Sequence, residues 1–234
     1  MNLILIVGVG GIGSNLFQKL ARYAPLNYHI CLIDGDTVEP KNIERQCFTQ
    51  ADIGKNKAEC LSHKANNQIG QRFSYYPYYL DTNPVGENQL HKVIGQDSNE
   101  SRHYSEIRNL IIFGCVDNHP TRKMLEFFAA HSNADRVFYV DGANDEYTGD
   151  VVSILKSNDG IKGSFRSSYD YNVMVDKSND PNNSCQNELL DGNIQTLIAN
   201  DKVAVIMLEV FNNFLNRKEC VGLWKFKSCL MEKK

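Results

Sequence analysis

Five consecutive apolar residues, Leu3-Ile4-Leu5-Ile6-Val7, stand almost at the start of the chain and run into Gly8-Val9-Gly10-Gly11-Ile12-Gly13. An apolar run without alternation, rich in Ile and Val, predicts a parallel strand buried on both faces. Beyond the glycines the period changes. Leu16, Leu20 and Ala24 share one face of a helix read from Gly13 to Ala24. The same switch recurs down the chain. His29 to Asp34 reads as a second strand, and Lys57 to Asn67 as a helix with Ala58, Leu61 and Ala65 on one face. Arg72 to Tyr76 is a weaker strand and Leu110 to Cys115 a strong one, followed by a helix from Thr121 to His131. Arg136 to Asp141 and Gly149 to Lys156 read as further strands. Strands alternating with helical stretches predict an α/β fold, a Rossmann-like, doubly wound and mostly parallel sheet.

The rhythm then dissolves. Residues 157–193 are crowded with Asn, Asp, Ser and Gly and are expected to form a long, mobile crossover loop. Gln96 to Glu106 reads as a plain surface excursion. The last helix, from Ile194 to Leu215, carries two apolar stripes. Val203, Ile206, Val210 and Phe214 form one; Ala204, Met207, Leu208, Phe211 and Leu215 form the other. A helix apolar around most of its circumference needs cover on more than one side. One cover is the sheet; the other is either a second subunit or the rest of the same chain. The expected organisation is one domain over 1–234. It comprises a nucleotide-binding core (1–156), the crossover loop (157–193), and a C-terminal helix and strand (194–234).

Composition narrows the function without naming it. A formal charge of −3 and the absence of any Lys/Arg run disfavour a nucleic-acid binder. No apolar run approaches the length of a membrane span, and no basic segment precedes Leu3, so a cytoplasmic protein is expected. The seven cysteines are odd in number and lack CxxC spacing, which argues against a disulfide framework and a zinc ribbon. Cys31 and Cys115 fall in strand-like runs and read as small core residues. The histidines form no HxxxH pair, and no transition metal is assigned.

Strand, glycine turn and helix together aim backbone N–H groups and a positive helix end at a phosphate. Alone, GxGxxG followed by an acid at Asp34 fits a dinucleotide enzyme equally well. The residues after Asp34 separate the choices. The chain continues Asp34-Gly35-Asp36-Thr37-Val38-Glu39-Pro40-Lys41-Asn42-Ile43-Glu44-Arg45-Gln46, then Asp52-Ile53-Gly54-Lys55-Asn56-Lys57-Ala58. Cys115-Val116-Asp117-Asn118 ends the later strand, with Arg122 five residues past Asp117.

In order and spacing these motifs resemble the ThiF/MoeB/HesA family, the bacterial relatives of ubiquitin-activating enzymes, over roughly residues 3–142. Arg45 to Asn66 is most similar to compact ThiF-type members. The resemblance implies an ATP-dependent adenylyltransferase acting on the C-terminal carboxylate of a small ubiquitin-fold (β-grasp) protein ending in Gly-Gly, with a homodimer as the assembly. It implies that Arg45 and Lys57 contact the phosphates, and that Asp117 holds Mg²⁺ and orients the α-phosphate. Asn42 and Gln46 would add neutral hydrogen bonds, and Asp34 would accept from the ribose hydroxyls. Gly8, Gly10, Gly11 and Gly13 would allow close approach of ATP and the incoming tail. Asp36 matches the motif, with turn stabilisation as an equal alternative to ligand contact. For Arg122 a structural ion pair is the better reading. Cys185, just before the last helix, resembles a crossover-loop cysteine that captures the activated carboxyl or takes part in sulfur transfer; an exposed cysteine without a role is the alternative.

Two departures stand out. The zinc-binding CxxC pairs of the ThiF and MoeB branch are missing. So is an Arg ahead of the first strand that would reach a neighbouring subunit's ATP. Two competing readings therefore stay open. A nicotinamide-dependent oxidoreductase explains the glycines and Asp34 but leaves Arg45, Lys57 and Asp117 without a purpose. A nucleotide-binding scaffold without turnover fits the missing Arg.

Overall fold

The computed structural model describes residues 1–70, 72–81, 85–96, 107–145, 148–170 and 197–227. The first half runs β1 (Asn2–Val7), α1 (Gly11–Tyr23), β2 (Tyr28–Ile33), α2 (Lys57–Gln68), β3 (Phe73–Tyr76), α3 (Val85–Gln96) and β4 (Asn109–Gly114). It continues α4 (His119–His131), β5 (Arg136–Asn144), β6 (Thr148–Ser157), β7 (Gly160–Lys162), α5 (Leu197–Leu215) and β8 (Gly222–Lys227). The expected surface excursion and most of the expected crossover loop lie outside the described residues.

The strands form one sheet in the order β3-β2-β1-β4-β5-β6-β7, with β8 also paired to β6. The five strands β1 to β5 are mutually parallel. β6 turns back antiparallel to β5, and β7 and β8 pair antiparallel with β6. The order 3-2-1-4-5 reverses direction between β1 and β4, which opens a crevice at the carboxyl ends of those two strands. Val7 pairs with Ile33 on one side and Gly114 on the other. Everything that follows these three residues therefore gathers at one rim.

Side chains alternate across the sheet with period two. Ile4, Ile6, Ile30, Leu32, Ile111, Phe113 and Phe138 pack beneath α1, α2 and α5. Leu3, Leu5, Cys31, Leu110, Ile112 and Tyr139 pack against α3 and α4. The central strands are thus buried on both faces, as uninterrupted apolar runs require. Cys31 and Cys115 are buried free thiols.

The structure shows how α5 is covered. One stripe lies on the sheet, where Phe214 stacks on Phe138 with ring centroids 4.6 Å apart. Another meets α1, joined at the surface by Lys19 to Asp201 and Tyr23 to Asn212. Cover from within the chain therefore accounts for most of the helix. Leu197 and Ile198 stay exposed at its start, and Val205 about midway along it. Two elements have no counterpart among the sequence expectations: α3, and the three-residue β7. The α1 helix also begins at Gly11, inside the glycine motif. Among the described residues, no helix is long and apolar enough to cross a membrane.

Candidate nucleotide site

An open cleft lies at the switch point between β1 and β4. Its floor is Gly8, Gly10 and Gly11; its walls carry Asp34, Asp36, Asn42, Arg45, Gln46, Lys57 and Asp117. Residues far apart in the chain thus converge here, and of the candidate site residues only Gly13 and Cys185 are not among them. A Cβ on Gly13 would fall 1.9 Å from the Gly8 carbonyl oxygen, so the place of Gly13 is in the packing of α1 onto β1. Cys185 lies outside the described residues.

The glycines are required by geometry. Gly8 has φ +86°, and a Cβ on it would meet the Cys115 carbonyl oxygen at 2.6 Å. No side chain caps α1, whose first turn also holds no acid. The positive end of that helix opens toward the cleft.

Asp34 ends β2 and folds over the turn. Its Oδ2 accepts from the Val9 amide (2.5 Å) and its Oδ1 from the Asp36 amide (2.8 Å). Burial nevertheless pushes its carboxyl up to about 6, against the pull of Lys57. Lys57 opens α2, and its nearly buried Nζ lies 2.8 Å from Asp36 Oδ2. Burial would raise the Asp36 carboxyl, but hydrogen bonds from Lys57 and the Tyr79 hydroxyl outweigh it and hold the pKa below its ordinary value. Asp36 is therefore the resting counter-ion of Lys57.

The long connection from β2 to α2 explains the rest of the motif. Asn42 accepts from the Glu39 amide through Oδ1 (2.8 Å) and closes a 3₁₀ turn over Pro40–Asn42. That turn presents Arg45 and Gln46 to the cleft. Asp52 is buried and bound by Thr49, Cys60 and Lys64, which together hold its carboxyl far below the ordinary range against the effect of burial. Asn56 caps α2 by accepting from the Glu59 amide (3.0 Å). Its Nδ2 donates to the carbonyls of Asp34 (2.9 Å) and Asp36 (3.1 Å). The motif thus serves two ends. Asp52 and Asn56 shape the loop, Arg45, Gln46 and Lys57 face the cleft, and Asn42 does both.

Across the cleft, Asn118 caps α4 by accepting from the Thr121 amide (2.9 Å), which leaves Asp117 exposed at the mouth. Arg122 holds this loop from behind. It donates to the Val116 carbonyl (2.6 Å), and its Nε lies 3.5 Å from Asp141 Oδ1. Asp141 is fully buried and also pairs with Arg166, which in turn reaches Asp150. The structural reading of Arg122 agrees with this geometry.

Sequence reading missed three residues. Tyr79 and Asn56 are ordinary loop residues by type, and only the fold shows their partners. Asn200 is a single amide in an apolar helix. It is fully buried against Gly11, and its two side-chain polar atoms lack hydrogen-bond partners among the described residues.

A model of the ThiF family matches residues 2–219. The chain belongs to the ThiF family. It is 42% identical over 67 residues to the Nedd8-activating enzyme E1 catalytic subunit of Drosophila melanogaster, covering 28% of this chain and 14% of that protein. It is 32% identical over 123 residues to the adenylyltransferase and sulfurtransferase MOCS3 of Drosophila sechellia, covering 52% of this chain and 23% of that protein. Among solved structures, PaaA superposes with a TM-score of 0.67 at 17% identity, covering 100% of this chain and 62% of that one. E. coli MccB solved with ATP superposes with a TM-score of 0.61 at 18% identity, covering 94% and 59%. The match to these curated relatives thus spans less than a quarter of their length, and the structural neighbours share the Rossmann-like fold.

Proposed function

We propose that this ThiF-family chain binds ATP in the cleft and adenylates the C-terminal carboxylate of a small β-grasp protein ending in Gly-Gly. The observation that carries the reading is the convergence of Arg45, Lys57 and Asp117 on one uncapped helix end at the sheet's switch point. A dinucleotide reading leaves Arg45, Lys57 and Asp117 without a purpose. Relatives described as activating enzymes and adenylyltransferases support the same reading.

The reaction brings a carboxylate onto the α-phosphate and expels pyrophosphate, so anion approaches anion. Preorganised cations meet that charge best in a partly dry site. Lys57 leaves Asp36 to hold phosphate, and Arg45 approaches from the 3₁₀ turn. Asp34 accepts from the ribose, the usual use of an acid at the end of β2. Gln46 offers an amide beside Gly10. Gly10, whose nearest neighbour to a Cβ is Gln46 Nε2 at 3.9 Å, leaves room for a narrow Gly-Gly tail.

Mg²⁺ fits the residues present. Asp117 is one exposed carboxylate at the mouth, and no cluster of three or more His, Cys, Asp or Glu side chains among the described residues could hold a metal alone. That suits an ion taking most of its ligands from phosphate and water. When bound, it would neutralise phosphate charge.

Pyrophosphate–ATP exchange with a Gly-Gly-ended β-grasp protein tests the proposal. Exchange that depends on the terminal carboxylate supports it. ATP binding without exchange for any such protein would leave a scaffold, and tight NAD binding independent of Mg²⁺ would leave an oxidoreductase.

A further inference from the structure

Asn200 sits in the first turn of α5 with no exposed surface. Its Nδ2 and Oδ1 both lack a hydrogen-bond partner among the described residues. A buried, unpaired amide is costly, and folded chains rarely keep one without a use for it. Its surroundings point to that use. Asn200 lines the cleft and lies flat on Gly11, where a Cβ would stand 2.4 Å from its Nδ2 and 2.6 Å from its Oδ1. On the neighbouring glycine lies a second amide. Gln46 Nε2 is 3.9 Å from the Cβ position of Gly10, and Gln46 Oε1 is also buried and unpaired among the described residues. Two amides therefore bracket the uncapped N-terminus of α1.

We infer that Asn200 is a phosphate-binding residue. Its Nδ2 donates to a phosphate oxygen of the nucleotide seated over Gly10 and Gly11. This rests on the proposed function and extends it. A phosphate held in this way is gripped by two helices, α1 through its backbone and α5 through a side chain. Gly11 acquires a second reason for being glycine: any Cβ would displace the amide from the phosphate.

The test measures binding of ATP, AMP and adenosine to the full chain by calorimetry, beside the melting temperature of the nucleotide-free protein. Asn200→Ala removes one hydrogen bond to a charged group and is expected to weaken ATP and AMP about tenfold. Adenosine affinity and the nucleotide-free melting temperature should hold. Asn200→Asp is nearly isosteric but turns a carboxylate toward the phosphates, with an expected loss of about a hundredfold or more for ATP. Unchanged ATP affinity in both variants overturns the inference. So does an equal loss for ATP and adenosine accompanied by a lowered melting temperature, which would make the amide a structural member. If the wild-type chain binds no ATP, the proposed function falls and this inference with it. If the wild type binds and the variants match it, this inference alone falls.

Discussion

Replacing Lys57 with Met removes the cation that the cleft hides most deeply. The Lys57 side chain is 5% exposed and that of Asp36 28%, with 2.8 Å between the charged atoms. Stranding one member of a fully buried pair costs about 3–5 kcal/mol, and an exposed pair is worth about 0–1 kcal/mol. Asp36 is partly open and keeps the Tyr79 hydroxyl, so about 2 kcal/mol is expected. For a chain of this size that lowers the melting temperature by about 4–8 °C. Exchange should fall about 10²–10³-fold, the scale of losing one preorganised group at a developing charge. Adding Asp36→Asn removes the stranded carboxylate. The double variant should regain most of its melting temperature while exchange stays lost. Recovery of exchange in the double variant would refute the reasoning, because Lys57 would then serve only to neutralise Asp36.

Three other perturbations probe separate parts of the site. Burial raises Asp34 to about 6, so the folded state holds its proton more tightly than the unfolded. The stability this group contributes below about pH 4 is lost as pH rises through 6; adenosine affinity, measured by calorimetry, should rise over the same interval as the stronger, ionised acceptor forms, and Asp34→Asn should flatten that rise. Asp141→Asn leaves Arg122 and Arg166 facing a neutral amide in a buried setting and should cost about 3–5 kcal/mol in urea unfolding; a loss under about 1 kcal/mol, the value of an exposed pair, would mean that water reaches the site. Gly13→Ala drives a methyl into the Gly8 carbonyl and should lower the melting temperature sharply, whereas Gly10→Ala has its nearest neighbour at 3.9 Å and should fold normally; equal melting of the two variants would contradict the packing assigned to Gly13.

The parallel core was legible because β1, β2 and β4 are buried on both faces and advertise it as unbroken apolar runs. Short or mixed elements were not. In α3 the pattern is diluted by Gly86 and Gly95, although Leu90, Val93 and Ile94 are buried. β7 is three residues long, and each of the three is exposed. Lys57 and Arg45 were visible through the motif resemblance, but a motif cannot say that Asp52 and Asn56 serve the loop and that Asn42 serves both loop and cleft. That division follows from hydrogen bonds made after folding. Asn200 was invisible for a simpler reason. It reaches Gly11 from the opposite end of the sequence, and only the docking of α5 on α1 joins them.

Strand direction has a practical consequence for where anything can be attached. β1 points its carboxyl end at the cleft, so its Asn2 end lies the length of a six-residue strand away, about 20 Å off at the opposite rim of the sheet. β8 runs the other way relative to β6, and its last residue, Lys227, pairs with Thr148, beside the hairpin whose neighbours Ala143 and Asn144 line the cleft. The Asn2 end of β1 therefore faces the back of the protein, and the Lys227 end of β8 faces the mouth. A surface attachment placed beside the Asn2 end of β1 leaves the cleft facing solution.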